Sequence, residues 1–181
     1  MDEFTDLDPR YCFLSKTNFN LHHNIGGEAM FTKILYPTDF SDVSKKALAY
    51  ITPLKSAGCE QVILLCVINE RKAENISQGA AWCGMEVSDF LKQTYQKLEE
   101  EARTKAKLME NELKNAGFDV KVMVERGIPH SRILEVAEEE NVSIIVLGSH
   151  GRSNLSSVLL GSVSDHVIRH AKQPVMVIHR G

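Results

Sequence analysis

Short apolar runs and longer amphipathic stretches alternate along most of the chain. Four runs are almost continuously apolar and rich in β-branched residues, which predicts parallel strands covered on both faces. These runs are 33–36, 61–68, 144–147 and 175–178. A fifth segment, 118–124, alternates apolar and polar residues, so it predicts a strand with one exposed face.

The stretches between the predicted strands carry apolar residues at three- and four-residue steps, the period of an amphipathic helix. The helical stripes cover 47–54, 90–113, 133–137 and 162–171. Residues 69–84 lack this period and contain Gly79 and Gly84, so we predict an irregular excursion after the second strand.

This alternation predicts an open parallel sheet with helices on both faces, because right-handed crossovers return each strand to the same sheet. The pattern alone allows several strand orders. The half-exposed third strand favours an edge position, which is consistent with the order 3-2-1-4-5. In that order the first and fourth strands are neighbours, and ligands bind at the carboxyl ends of such a pair.

A glycine-rich stretch follows the fourth strand and leads into the last helix. Two residues separate Gly148 from Gly151, and nine more precede Gly161 and Ser162. Glycine permits close approach to a ligand and positive φ, and free N–H groups at a helix N-terminus attract phosphate. We interpret the stretch as a phosphate-binding loop. It matches neither the Walker pattern nor Gly-x-Gly-x-x-Gly, and the alternative is that the glycines are only turn and capping residues.

The glycine spacing resembles the signature of the ATP-binding branch of the universal stress protein family. The resemblance extends to the opening strand and turn, the turn before the third helix and the closing strand, at 33–41, 127–130 and 174–178. It implies the order 3-2-1-4-5 in a three-layer α/β sandwich of the adenine-nucleotide-hydrolase-like or flavodoxin-like kind. It also implies a universal stress protein domain at 30–181 with ATP as cofactor, accompanied by Mg²⁺ or Mn²⁺.

The predicted nucleotide site combines strand ends with the glycine loop. Asp39 would accept hydrogen bonds from the ribose or the adenine amine, or serve only as a turn carboxylate. Val67 would contact adenine or serve only as a core residue, and Arg152 would reach the phosphate oxygens or be an ordinary surface residue. The Ser162 hydroxyl would donate to a terminal phosphate or only cap the helix. With the residues that the resemblance implies, the set is Pro37, Thr38, Asp39, Val67, Leu147, Gly148, His150, Gly151, Arg152, Gly161, Ser162 and Val163.

Catalytic and metal-binding motifs are not evident in the sequence. No serine stands in a Gly-x-Ser-x-Gly elbow and no base is recognisably placed to activate water, so we predict no catalytic residue. His166 and His170 share one helical face, a spacing that metals use, but no Glu or Cys follows at a recognised metal distance. We therefore predict no metal site of the protein's own.

Composition argues against several classes of protein. The 181 residues carry a net charge of −3, and residues 1–29 hold all of it, so no domain-wide basic excess favours nucleic acid. No apolar run reaches about 18 residues, which argues against a membrane span. The four cysteines show no paired metal spacing and no secretory signal is evident, which fits a reduced, cytoplasmic setting.

The two ends of the chain carry the remaining expectations. Residues 1–29 show no sustained period and are predicted to form an arm that is loosely ordered or outside the core. The last strand is apolar throughout and lies at a sheet edge in the predicted order; it comprises Val175, Met176, Val177 and Ile178. An unprotected apolar edge invites pairing, so we predict a homodimer joined antiparallel through this strand, as the resemblance also implies. The alternative is that the arm or the C-terminal residues fold over this edge within one chain.

These observations lead to the hypothesis of a cytoplasmic stress-response protein that binds ATP and is read by a protein partner not yet identified. Two rivals stay open. A slow Mg²⁺-dependent ATPase would use the same pocket. A nucleotide-independent interaction module would not need the glycine pattern, from which a branch of the family that does not bind ATP departs.

Overall fold

Six parallel strands form the sheet in the computed structural model, which describes residues 11–14, 31–81, 86–149 and 160–179. The strands are β1 (Tyr11–Leu14), β2 (Lys33–Pro37), β3 (Gln61–Asn69), β4 (Asp119–Gly127), β5 (Ile144–Gly148) and β6 (Val175–Ile178). Their spatial order is β1-β6-β5-β2-β3-β4, and every neighbouring pair is parallel. The five predicted strands thus lie in the predicted order 3-2-1-4-5, which confirms the α/β fold.

Helices connect the strands on both faces of the sheet. They are α1 (Asp42–Lys46), α2 (Leu48–Ile51), α3 (Glu70–Ala81), α4 (Val87–Asn115), α5 (Pro129–Glu139) and α6 (Ser162–His170). A 3₁₀ turn at Thr52–Lys55 follows α2 and contains Pro53, whose ring cannot continue an α-helix. None of the described helices is long and apolar enough to cross a membrane.

Two apolar cores lie on opposite faces of the sheet, because side chains alternate between faces along each strand. Ile34 and Tyr36 of β2 join the core beneath α4, whereas Leu35 joins the core beneath α5 and α6. All three are fully buried. Covering both faces explains why the central strands are almost continuously apolar.

The segment after β3 is a helix and not the predicted irregular excursion. Residues Glu70–Ala81 form α3, which packs on α4. Its buried positions in the described part are Ala73 and Ser77, one helical turn apart, and Ser77 Oγ donates to Ala73 O at 2.9 Å. Hydrophobic periodicity missed the helix because its buried stripe consists of small side chains.

The outer edge of β6 is occupied by the chain's own N-terminal residues. Tyr11–Leu14 pairs in parallel with Val175–Ile178, one residue against one residue. The prediction of an open edge at the last strand is therefore wrong, and the alternative of an arm folded over it is what the structure shows. The run Tyr-Cys-Phe-Leu is rich in strand-forming residues, but four residues are too few to stand out in an arm without a period.

Candidate functional site

A cavity of about 380 Å³ opens at the carboxyl ends of β2, β3 and β5. β2 and β5 are the neighbouring strands at which the connections reverse direction, the usual ligand position in open α/β sheets. Its lining comes from the loop after β2, the end of β3, helices α3 to α5 and the start of α6. The volume suits a small molecule, since such sites measure roughly 300–1,000 Å³.

Thr38 fixes the loop that follows β2. Its N–H donates to Leu65 O on the neighbouring strand at 2.8 Å. Its Oγ1 accepts from Phe40 N at 3.0 Å and shares a 2.5 Å hydrogen bond with Ser44 Oγ. Because Thr38 is only 6% exposed and its hydroxyl is engaged on both sides, it acts on the shape of the cavity wall.

Asp39 forms the rim of the same wall. Its Oδ1 accepts from Ser41 N at 3.0 Å, and Ser41 Oγ in turn accepts from Ser44 N at 3.3 Å as the N-cap of α1. Phe40, between these residues, has φ of 61°, a left-handed conformation that is uncommon for an aromatic residue and turns the chain sharply into α1. Asp39 therefore supports the turn and also lines the cavity.

The opposite wall joins the end of β5 to the start of α6. Ser149 N donates to Ile178 O at 2.8 Å, and Gly161 N donates to Ser149 O at 2.7 Å. The buried Ser164 hydroxyl lies 2.7 Å from Ser149 O and 3.0 Å from Gly161 O. These contacts fix the two ends of the glycine-rich stretch against each other.

Helix α6 begins at Ser162, as the sequence predicts, with Gly161 as its N-cap. Gly161 offers no side chain to cap the helix, and the first N–H groups of a helix have no intrahelical acceptor. Ser162, Val163 and Ser164, which carry such groups, line the cavity. The partial positive charge of the helix end thus lies at the cavity wall.

Gly148 is required by packing and not by its backbone conformation. It is not among the described glycines with positive φ, contrary to the sequence interpretation. A Cβ at this position would lie 3.0 Å from Val43 Cγ1 and 3.3 Å from Ser44 N. Glycine avoids this tight contact where α1 approaches the end of β5, and the approach brings the two cavity walls together.

Charged side chains on the outer helices complete the lining. Lys72 of α3 and Lys105 of α4 are the lysines that line the cavity in the described part of the chain. Asp39 and Glu101 are the carboxylates there. The cavity therefore offers both cations and acceptors, while Val67 and Leu147 add apolar contact area.

Nine of the twelve predicted site residues line this one cavity, and they come from four separate segments of the chain. The other three, His150, Gly151 and Arg152, lie outside the described residues. The sequence did not indicate Lys72, Glu101 or Lys105. They belong to polar helix faces, where a lysine beside a cavity has the same local pattern as any solvated lysine.

The predicted histidine pair lies beside a third histidine. The ring centroids of His166 and His170 are 4.0 Å apart and nearly parallel, and the His130 ring lies 4.0 Å from His166. Partial burial lowers the pKa of His166, and electrostatic interaction with the neighbouring imidazoles of His130 and His170 lowers it further. Within the described ranges, no three His, Cys, Asp or Glu side chains are arranged to hold a metal ion.

Ser164→Ala should loosen the wall that joins β5 to α6. It removes a buried hydroxyl that reaches two carbonyl oxygens, and we expect a loss of about 1 kcal/mol in the free energy of unfolding. Urea unfolding measures the change, with Ser88→Ala on the exposed face of α4 as a control. An unfolding curve for Ser164→Ala that superimposes on that of Ser88→Ala would contradict the assigned role.

Comparison with known proteins gives the chain's relatives. The sequence model of the universal stress protein family matches residues 30–179. Universal stress protein MJ0577 of Methanocaldococcus jannaschii is 42% identical over 156 residues, which cover 83% of this chain and 96% of that protein. A solved structure of MJ0577 superimposes with a TM-score of 0.74 over 84% of this chain and 98% of the other.

Two further structures resemble the chain less closely. Protein PH0823 is 35% identical, with a TM-score of 0.65, and the likeness covers 83% of this chain and 97% of the other. A universal stress protein from Archaeoglobus fulgidus, solved in complex with dAMP, is 18% identical with a TM-score of 0.54 over 82% of this chain and 98% of the other. At that identity the likeness shows a shared fold. On the family match and the MJ0577 identity, the chain belongs to the universal stress protein family.

Proposed function

We propose that the chain binds ATP in the cavity at the carboxyl ends of β2, β3 and β5. The observation that carries this proposal is the convergence of an uncapped helix N-terminus, that of α6, with a carboxylate-bearing loop, that of Asp39, around one cavity. The helix end suits phosphate, and the carboxylate suits hydroxyl or amine donors. A nucleotide carries both kinds of group at its two ends.

The lining suggests an orientation for the nucleotide. The phosphates would lie against Gly161 and Ser162, with Arg152 from the glycine-rich stretch as a further contact. Adenine would pack against Val67 at the end of β3, and the ribose hydroxyls would reach Asp39. Mg²⁺ or Mn²⁺ would enter with the triphosphate as its counterion.

A regulatory role fits the lining better than rapid catalysis. Asp39 and Glu101 are the carboxylates of the described lining, and Asp39 already accepts from Ser41 N at 3.0 Å as part of its turn. Phosphoryl transfer needs groups that position the attacking water, and none is identifiable among the lining residues that the structure describes. Bound ATP would bias the glycine-rich stretch between arrangements that a cytoplasmic protein partner reads. Turnover of many ATP molecules per second by the purified chain would favour the ATPase instead.

Asp39→Ala tests the proposed orientation. We expect ATP affinity to fall about tenfold, or about 1.4 kcal/mol, because the ribose or adenine loses an acceptor. Affinity for inorganic triphosphate should change much less, since that ligand has neither group. Isothermal titration calorimetry measures both affinities.

Two control variants sharpen this comparison. Asp42→Ala removes a carboxylate three residues further along the chain, whose side chain is 86% exposed on α1 and does not line the cavity, and it should leave both affinities unchanged. Asp39→Asn keeps an oxygen acceptor for Ser41 N and so separates contact with the ligand from support of the turn. Equal losses for ATP and triphosphate in Asp39→Ala would show that Asp39 acts on the loop and not on the nucleoside.

A further inference from the structure

β1 completes the backbone pairing of β6. Val175–Ile178 pairs with Ile145–Gly148 of β5 along one edge and with Tyr11–Leu14 along the other. Both registers extend over all four residues of β6. In the described structure, the last strand therefore has neighbours on both sides, and all four of its apolar side chains are buried.

A second copy of the chain would need the same edge. A strand has two rows of backbone groups, and β5 and β1 take one each. Two β6 strands joined about a two-fold axis would run antiparallel, whereas β1 runs parallel to β6. We propose that Tyr11–Leu14 is an intramolecular cap on a self-association edge, so that two copies pair through β6 only after this segment has left it.

The chain can reach this position without any exchange between molecules. β1 and β2 are three strand positions apart in the sheet order, roughly 14 Å at about 4.8 Å per step. The return from the end of β1 to the start of β2 adds roughly 13 Å for four residues of strand. The sixteen residues that connect Leu14 to Phe31 can span up to roughly 53 Å, so a cap within one chain is stereochemically accessible.

Tethering favours the cap over a second copy at ordinary concentrations. A segment joined by a short connection acts at an effective concentration on the order of millimolar, above the micromolar concentration of a free partner. The contact is only four residues long, however, so a competing strand of similar length can displace it. The cap thus sets a concentration below which the chain stays monomeric.

The capping segment is also suited to be the new edge of the sheet. Pro9 and Arg10 precede it in the sequence and Lys16 follows it closely. Proline and charged residues beside a short edge strand discourage further pairing. The segment lies outside residues 30–179, the part that the family model matches, so the cap is additional to the family's common domain.

Cross-linking tests the register within the full chain. Cys12 is the register partner of Met176, so oxidation of Met176→Cys should join the two positions within one chain, as shown by mass spectrometry of its peptides. Val177→Cys is the control, because its register partner is Phe13 and adjacent strand residues point to opposite faces. Failure of Met176→Cys to link to Cys12, or links formed only between two chains, would overturn the proposal.

Sedimentation then tests whether β1 competes with a second copy of the chain for the edge of β6. Cys12→Pro with Phe13→Pro places prolines at successive positions of β1, so a hydrogen bond to β6 is lost whichever residue donates it. We expect wild type to sediment as a monomer at micromolar concentration and this variant as a dimer of twice the mass. Asn18→Pro with Phe19→Pro makes the same kind of change outside β1 and should stay monomeric.

A dimeric wild type, or a β1 proline variant that stays monomeric, would overturn the proposal. Circular dichroism establishes that each variant is folded. If the β1 proline variant is not folded, the cross-linking result decides.

Discussion

Gly148→Val is expected to destabilise the fold by about 2–3 kcal/mol, in the upper part of the range for an overpacked site. The new Cβ would lie 3.0 Å from Val43 Cγ1 and 3.3 Å from the backbone atoms Ser44 N and Val43 C. The backbone atoms of α1 cannot rotate away as a flexible side chain would. The loss should appear as a lower midpoint in urea unfolding, with ATP affinity falling as well because α1 and β5 carry the two cavity walls.

Gly148→Ala provides the graded control for this effect. It adds the Cβ without the two methyl groups of valine, so we expect its loss in the free energy of unfolding to be smaller than that of Gly148→Val. If the free energy of unfolding of Gly148→Val lies within about 0.5 kcal/mol of wild type, the range of a neutral surface substitution, packing against α1 is not the reason for this glycine.

Gly161→Val is expected to weaken ATP binding while leaving the stability of the fold nearly unchanged, in contrast to Gly148→Val. Gly161 has φ of −75° and ψ of 158°, a conformation that valine adopts readily, so the fold should tolerate the change. Because Gly161 lines the cavity at the N-terminus of α6, the added side chain should crowd the phosphates. We expect ATP affinity to fall about a hundredfold, or about 2.8 kcal/mol, in calorimetric titration.

A smaller substitution at Gly161 provides the graded control for this prediction. Gly161→Ala should weaken ATP binding less than Gly161→Val, since its side chain occupies less of the cavity. Both variants should unfold at nearly the urea concentration of wild type. Unchanged ATP affinity in Gly161→Val would place the phosphates elsewhere, whereas a large loss of stability would assign this glycine to the fold.

The sheet was largely predictable because its strands obey simple rules. β3 and β5 are covered on both faces, so their residues are almost all apolar, and the sequence marks them clearly. β4 alternates because it is an edge strand, and this pattern gave its position in the order. That order, which the resemblance of the glycine spacing also implies, makes β2 and β5 neighbours and so brings their carboxyl ends together.

Features that depend on small or short segments were not predictable. α3 buries Ala73 and Ser77, which hydropathy does not distinguish from solvent-facing residues. β1 is only four residues long, and its pairing with β6 joins positions about 160 residues apart along the chain, for which a single sequence gives no signal. Such contacts are determined by the edge that the rest of the fold leaves open.

The reason for Gly148 also differs between sequence and structure. A glycine after a strand suggests positive φ or close approach of a ligand, and both readings are local. The structure shows that the neighbour it must admit is α1, a helix more than a hundred residues earlier in the chain. Lys72 and Lys105 illustrate the same limit, because their place in the cavity wall follows from how α3 and α4 pack and not from the residues beside them.

Calorimetric titration of ATP into the full chain in the presence of Mg²⁺ tests the central claim most directly, with inorganic triphosphate and adenosine as the two part-ligands. The account predicts one ATP per chain, bound more tightly than either part, because the start of α6 and the Asp39 loop each contact one end of the nucleotide. Absence of ATP binding by a folded chain, or binding of triphosphate as tight as that of ATP, would contradict it.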